Sequence, residues 1–265
     1  MFTRIMGIIN ANDDSFFASS RFLEKDAIDK IELMIKEGAN IIDVGAVSSR
    51  PGAKEVSVSN ELERFTPIAN LIFERELYKQ AEFSIDSYTP EVIEYALERG
   101  FSMVNDITGL RDDRVCELIH KYNATAIIMH MQGNPTSMQK SPKYSDVIEE
   151  VYSFFTQQIE KAHRYKIDKI ILDVGIGFGK TLEHNIALLQ NLKKFKTLGY
   201  ELLVGASRKS MIDMISSSKV DERLAGTIVL HVKAVKEGAQ ILRVHDVFEH
   251  NQALKVYEAI DSLHE

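Results

Sequence analysis

Three stretches carry residue types that could do chemistry together. Asp173 is followed at once by Val174-Gly175-Ile176-Gly177-Phe178-Gly179-Lys180-Thr181, a glycine-rich run that ends on a cation. Ser207-Arg208-Lys209 and Arg243-Val244-His245 supply further cations and a histidine late in the chain. Single polar residues close earlier apolar runs: Asn10, Asp43, Asp86, Asn105-Asp106 and His130. Any one such Asp or Asn reads as a cap for the next turn or helix. Capping does not explain why Lys209, Arg243 and His245 fall at equivalent places. With a formal net charge of -7, an anionic ligand would need local positive contacts of this kind, and a bulk nucleic-acid surface is not expected.

The glycine-rich run is tested against two nucleotide motifs and fits neither. A phosphate loop needs glycine five positions before the Gly-Lys pair, where Val174 stands. A dinucleotide fingerprint needs G-x-G-x-x-G, and Gly175-Ile176-Gly177-Phe178-Gly179 is one residue short. What remains is a loop that lets the backbone approach a flat ligand closely. His130, His184, His231, His245 and His250 lack zinc-ligand spacings, and Cys116 is the only cysteine. No G-x-S-x-G elbow surrounds Ser207. Lys209 could in principle form a Schiff base, the reading of an aldolase. Met103, Met129 and Met131 read as barrel filling. Phe16 and Phe17 lie in a polar loop beside Asn12-Asp13-Asp14-Ser15, which favours a loop role.

These residues need elements to position them. Eight nearly continuous apolar runs recur: 4–9, 40–45, 82–86, 102–106, 125–130, 169–173, 201–205 and 240–244. Such runs suit strands covered on both faces. Helical patterns lie between them, clearest over 25–36, 90–98, 146–162 and 222–235. Gly38, Gly100, Gly199 and Gly238 stand where helices should end before a strand. The expected fold is α/β, a (β/α)₈ TIM barrel in one domain over residues 1–265, with a doubly wound open sheet as runner-up. The segment 48–60 is long for a βα loop, a length often tied to function. No apolar run is long enough to span a membrane, and the start lacks a signal-peptide pattern, so a cytoplasmic protein is expected.

The ordered set of motifs resembles the dihydropteroate synthase family of pterin-binding enzymes. The resemblance runs from Ile5-Met6-Gly7-Ile8-Ile9-Asn10 with Asp14-Ser15-Phe16, through Asp43-Val44-Gly45 with Ser48-Ser49-Arg50-Pro51-Gly52, to Ser84-Ile85-Asp86-Ser87 and Val104-Asn105-Asp106-Ile107. It continues at Met129-His130-Met131-Gln132-Gly133, Leu172-Asp173 to Lys180, Glu183-His184-Asn185, Ser207-Arg208-Lys209-Ser210 and Leu242-Arg243-Val244-His245-Asp246. The blocks span nearly the whole chain. Departures are Ala11-Asn12-Asp13 for the usual Val-Thr-Pro, Val47 for an acidic residue, Ser49 for threonine and Val174 for proline.

The resemblance implies a transferase of folate biosynthesis. It condenses 6-hydroxymethyl-7,8-dihydropterin pyrophosphate with 4-aminobenzoate and releases pyrophosphate. Asp86, Asn105, Asp173, Phe178, Lys209 and Arg243 would hold the pterin. Phe16, Ser49, Arg50, Pro51 and Ser210 would form the 4-aminobenzoate pocket, where sulfonamides also act. Asn10 would join an Mg²⁺ shell with phosphate oxygens, and Asn10, Arg50, Lys209, Arg243 and His245 would carry catalysis. A homodimer is implied as well, and no nucleic-acid or membrane partner. The rival readings are a methyltetrahydrofolate-binding methyl-transfer barrel and a non-catalytic pterin-binding protein.

Overall fold

The computed structural model describes residues 3–11, 20–47, 56–134 and 136–261. Its strands follow one another around a closed parallel barrel: β1 (Arg4–Asn10), β2 (Ile41–Gly45), β3 (Glu82–Asp86), β4 (Met103–Asp106), β5 (Thr125–Met129), β6 (Ile170–Asp173), β7 (Glu201–Val204) and β8 (Ile241–Val244). The deciding contact is β1 against β8, in register from Arg4↔Ile241 to Gly7↔Val244. That pairing closes the sheet, so the open-sheet alternative falls.

Helices α1 (Ser20–Lys36), α2 (Val58–Glu74), α3 (Pro90–Leu97), α4 (Asp113–Lys121), α5 (Val147–Arg164), α6 (Leu182–Gln190), α7 (Leu192–Lys196), α8 (Ser210–Ile215), α9 (Leu224–Lys236) and α10 (Val247–Asp261) surround it. Most expected boundaries shift by a residue or two. β5 stops at Met129: the His130 N–H makes the last ladder bond, to Asp173 O at 3.0 Å, where β6 itself ends. The helix expected from 222 starts at Leu224, since Val220–Glu222 forms a separate 3₁₀ turn. The segment expected as a loop to residue 60 ends at Ser57, whose hydroxyl accepts from Asn60 N and caps α2. Gly38, Gly100, Gly199 and Gly238 all have positive φ, as their helix-end places require.

Side chains alternate along each strand, so every second residue points into the closed barrel. Three levels result. At the N-terminal end Arg4 bonds Glu82 at 3.1 Å and Glu201 at 2.5 Å. Above it lies a sealed apolar layer of Met6, Ile41, Met103, Ile127, Ile171, Leu203 and Ile241. Met103 is thus barrel filling, as expected, whereas Met129 and Met131 pack at the rim with Phe178. Two residues beyond the apolar layer come Asp43, Asn105, Asp173 and Arg243. The main core lies outside the sheet, where Phe65 meets Phe101 edge-on and Phe101 meets Phe83. No helix among the described residues is long and apolar enough to cross a membrane.

Phe65, on the inner face of α2, is fully buried. Phe65→Ala should cost about 3–5 kcal/mol of stability, read as a lower urea midpoint. A loss well under 1 kcal/mol would show that this interface is not close-packed.

Candidate active site

At the C-terminal end of the barrel a cavity of about 1080 Å³ opens. Its wall includes Asn10, Phe178, Lys209, Ser210, Arg243 and His245. Asp86, Asn105 and Asp173 are buried in the top layer of the barrel.

Arg243 organises that layer. Its Nε donates to Asp43 Oδ2 and its terminal nitrogen to Asp86 Oδ2, both at 2.6 Å. Asn105 Nδ2 adds a bond to Asp43 Oδ2 at 3.1 Å. A fork of fixed donors suits two carboxylates at once. Burial pushes the Asp86 carboxyl up to about 7 against the pull of Arg243. Burial also opposes the Arg243 charge, but Asp43 and Asp86 together raise its affinity for the proton. Asp86 meets Arg243 through Oδ2 alone.

The glycine-rich loop leaves β6 at Asp173, whose Oδ1 accepts from Gly175 N at 2.8 Å. A side chain at Gly175, where φ is +67, would collide with the His130 carbonyl. At Gly179 an added Cβ would sit 2.6 Å from Gln132 O. The loop therefore lies against the β5 exit as bare backbone. Lys180 fastens it from within. Its ammonium reaches Gly175 O and Phe178 O at 3.0 Å, His130 O at 3.1 Å and His130 Nδ1 at 3.0 Å. Burial lowers the Lys180 pKa to about 7, with Asp173 opposing the shift. Asn185 Oδ1 takes Gly177 N at 2.8 Å. Lys209 Nζ donates to Ile176 O and lies 4.5 Å over the Phe178 ring. Burial lowers its pKa to about 8, again against Asp173.

The far wall is set by Ser207 and His245. His245 N donates to Ser207 Oγ at 3.3 Å, and the same hydroxyl lies 2.9 Å from His245 Nδ1. Burial favours the neutral imidazole, lowering its pKa to about 4. Arg208 sits at φ +57 and grips Asp246 with Nε at 3.0 Å and its terminal nitrogen at 2.6 Å.

The sequence profile of the pterin binding enzyme family matches residues 6–245. A dihydropteroate synthase of Escherichia coli K12 is 43% identical over 96% of this chain and 90% of its own length. The chain belongs to the dihydropteroate synthase family. A crystal structure of the Yersinia pestis dihydropteroate synthase with a sulfonamide drug superposes with a TM-score of 0.92 at 36% identity, covering 98% of this chain and 95% of that one. The Thermus thermophilus dihydropteroate synthase in complex with 4-aminobenzoate gives 0.87 at 37% identity, covering 97% and 94%.

Against the residues expected of a dihydropteroate synthase, the structure brings Asn10, Phe178, Lys209, Ser210, Arg243 and His245 to one wall. Arg243 is engaged edge-on by the carboxylates of Asp43 and Asp86. Phe16, Ser49, Arg50 and Pro51 lie outside the described residues. Three supports went unassigned in the sequence: Asp43 beneath Arg243, Lys180 inside the loop and Asn185 behind it. Each stands within a recognised motif, but nothing in a motif says that a lysine will bind backbone carbonyls instead of a ligand.

Gly175→Ala would force about 1–3 kcal/mol of backbone strain into the loop. Affinity for a dihydropterin, followed by fluorescence titration, should fall about tenfold or more. Unchanged affinity would separate the loop from ligand binding.

Proposed function

We propose that this chain condenses 6-hydroxymethyl-7,8-dihydropterin pyrophosphate with 4-aminobenzoate, giving 7,8-dihydropteroate and pyrophosphate. One observation carries the reading: a carboxylate and an ammonium, Asp173 and Lys209, flank a glycine-rich loop at the rim of a closed barrel. The family match over most of the chain supports it. A planar pterin offers adjacent N–H donors that one carboxylate can accept together, the role we assign to Asp173. Lys209 donates to the ring carbonyl and a ring nitrogen, Phe178 covers a face, and Asp86 and Asn105 complete the polar edge. Arg243 contributes its charge while held by Asp43 and Asp86.

The bond that breaks joins the pterin methylene carbon to pyrophosphate oxygen. Its electron pair leaves with pyrophosphate, and the reduced ring delocalises the cation left on carbon. Charge neutralisation at the leaving group is therefore the main demand. His245, with Nδ1 accepting from the Ser207 hydroxyl, would supply an Nε2–H donor there, and Arg50 would supply positive charge. The amine of 4-aminobenzoate is already neutral at neutral pH, so it attacks the carbon with no base required and sheds a proton afterwards. Phe16, Ser49, Arg50, Pro51 and Ser210 would hold its ring and exclude water from the cation.

Mg²⁺ is the cation we assign. Asn10 offers a half-buried carboxamide oxygen on the cavity wall. Among the described residues no group of three or more His, Cys, Asp or Glu is arranged to hold a metal ion. That donor set fits an ion taking one protein oxygen and completing its shell from phosphate oxygens and water. When bound, it would offset negative charge on the leaving group.

We place the protein in the cytoplasm and read residues 1–265 as one domain. We also assign a homodimer. Exposed apolar side chains gather on α8 to α10, including Met214, Val229, Phe248 and Ile260.

Purified protein supplied with both substrates and Mg²⁺ should form dihydropteroate and pyrophosphate in equal amounts. Pterin binding without turnover would instead establish a non-catalytic binding protein. The pH dependence probes Lys209, whose lowered pKa of about 8 leaves it charged below that pH and neutral above. The kcat/KM for the pterin pyrophosphate should decline above pH 8 as Lys209 loses its charge. Lys209→Met should lower kcat/KM throughout and lose this alkaline limb. A wild-type profile flat across that range would remove the Lys209 charge from binding.

A further inference from the structure

The turn after β7, residues 205–209, delivers Lys209 to the cavity but belongs to no strand ladder. Its amides are held from α9. Ala206 N–H donates to His231 Nε2 at 3.1 Å, and Arg208 N–H donates to Thr227 Oγ1 at 3.0 Å. Thr227 and His231 are one helical turn apart and face the same way; both are fully buried. The contact continues past α9. His231 Nδ1 meets His250 Nε2 at 2.9 Å, and His250 Nδ1 meets the Asp246 carbonyl oxygen at 2.6 Å. Asp246 follows His245 directly, and its carboxylate grips Arg208. Two buried rings on α9 and α10 thus join the turn that carries Lys209 to the turn that carries His245.

The sense of this chain follows from its ends. An amide N–H can only donate, so His231 Nε2 accepts and the neutral ring carries its proton on Nδ1. That proton goes to His250 Nε2. His250 Nδ1–H is then left for the Asp246 carbonyl, which can only accept. All contacts are matched only when both rings are neutral and both are Nδ1–H. Burial favours that state, lowering the pKa of each ring. Neither ring lines the cavity. Apolar side chains would fill the same space, but they would leave Ala206 N–H and the Asp246 carbonyl without these partners.

We propose that His231 and His250 are positioning residues, a two-ring relay that holds the turn bearing Lys209 in register with the turn bearing His245. Ser207 Oγ against His245 Nδ1 and Arg208 against Asp246 cross the same gap nearer the cavity. The relay sets the spacing of that gap from behind. It acts on turnover through Lys209 and His245 and so rests on the reading of the site as a dihydropteroate synthase.

Wild-type turnover is measured first, so a protein that makes no dihydropteroate overturns the functional reading while leaving the ring geometry to be tested. Long-range ¹H–¹⁵N correlation NMR of the intact protein at neutral pH should then find His231 and His250 as neutral Nδ1–H tautomers, the less common form of free histidine. An Nε2–H or imidazolium signature for either ring overturns the relay. Kinetics supply the second readout. His231→Phe and His250→Phe keep an aromatic ring and cut the chain. Each should lower kcat/KM for the pterin pyrophosphate by about tenfold. The double variant should fall little further, because both changes break one unit. Ile93→Ala on α3, across the barrel, serves as a destabilised control and should keep wild-type kcat/KM in the folded protein. Histidine variants that lose only Tm, as this control does, would show a purely structural pair and overturn the proposal. Should His231→Phe fail to fold, His250→Phe and the tautomer signature decide the matter.

Discussion

Closure between β1 and β8 leaves every second side chain of every strand pointing into one shared interior. That constraint sorts the chain by height. Arg4 with Glu82 and Glu201 occupies the lower end, and a layer of Met, Ile and Leu fills the middle. The next inward positions are Asp43, Asn105, Asp173 and Arg243. The apolar layer lies between two charged levels, so the polar groups above it can be reached only from the rim. A site at the C-terminal end is a consequence of this order.

Charge at that level must be balanced locally, because desolvation disfavours every isolated ion. Arg243 answers Asp43 and Asp86 together, while Lys209 and Lys180 are drawn toward Asp173. The pairs are unequal. Burial moves Asp86 up to about 7 and Lys209 down to about 8, which leaves both near the point of proton exchange.

The loops that carry the remaining groups are held by backbone contacts from side chains elsewhere. Lys180 spans carbonyls of the glycine-rich loop and the β5 exit. Thr227, Arg223 and Asp246 hold Arg208 in a left-handed conformation that would otherwise relax. Strain of this kind persists only where the surroundings over-determine it, and here several distant elements supply that support.

The order of eight apolar runs, the helix-ending glycines and the polar strand ends could all be read from the sequence, because each depends on residues within one or two turns of one another. The barrel and the rim followed from them, and the ordered motifs pointed to the family. Exact ends such as Met129 for β5 and Leu224 for α9 could not be read, since they depend on which neighbouring strand or turn takes the next amide. The partners of Arg243 were equally hidden: Asp43 and Asp86 lie 200 and 157 residues away along the chain. Lys180 read only as the cation that ends the glycine-rich run and became an internal clamp. His231 and His250 read only as histidines without zinc spacing, and became a hydrogen-bonded pair. Residue types and local periodicity set what each segment could become. Which donor meets which acceptor was decided only when barrel closure brought β7, β8, α9 and α10 together, because hydrogen bonds depend on ångström-scale placement that sequence separation does not encode.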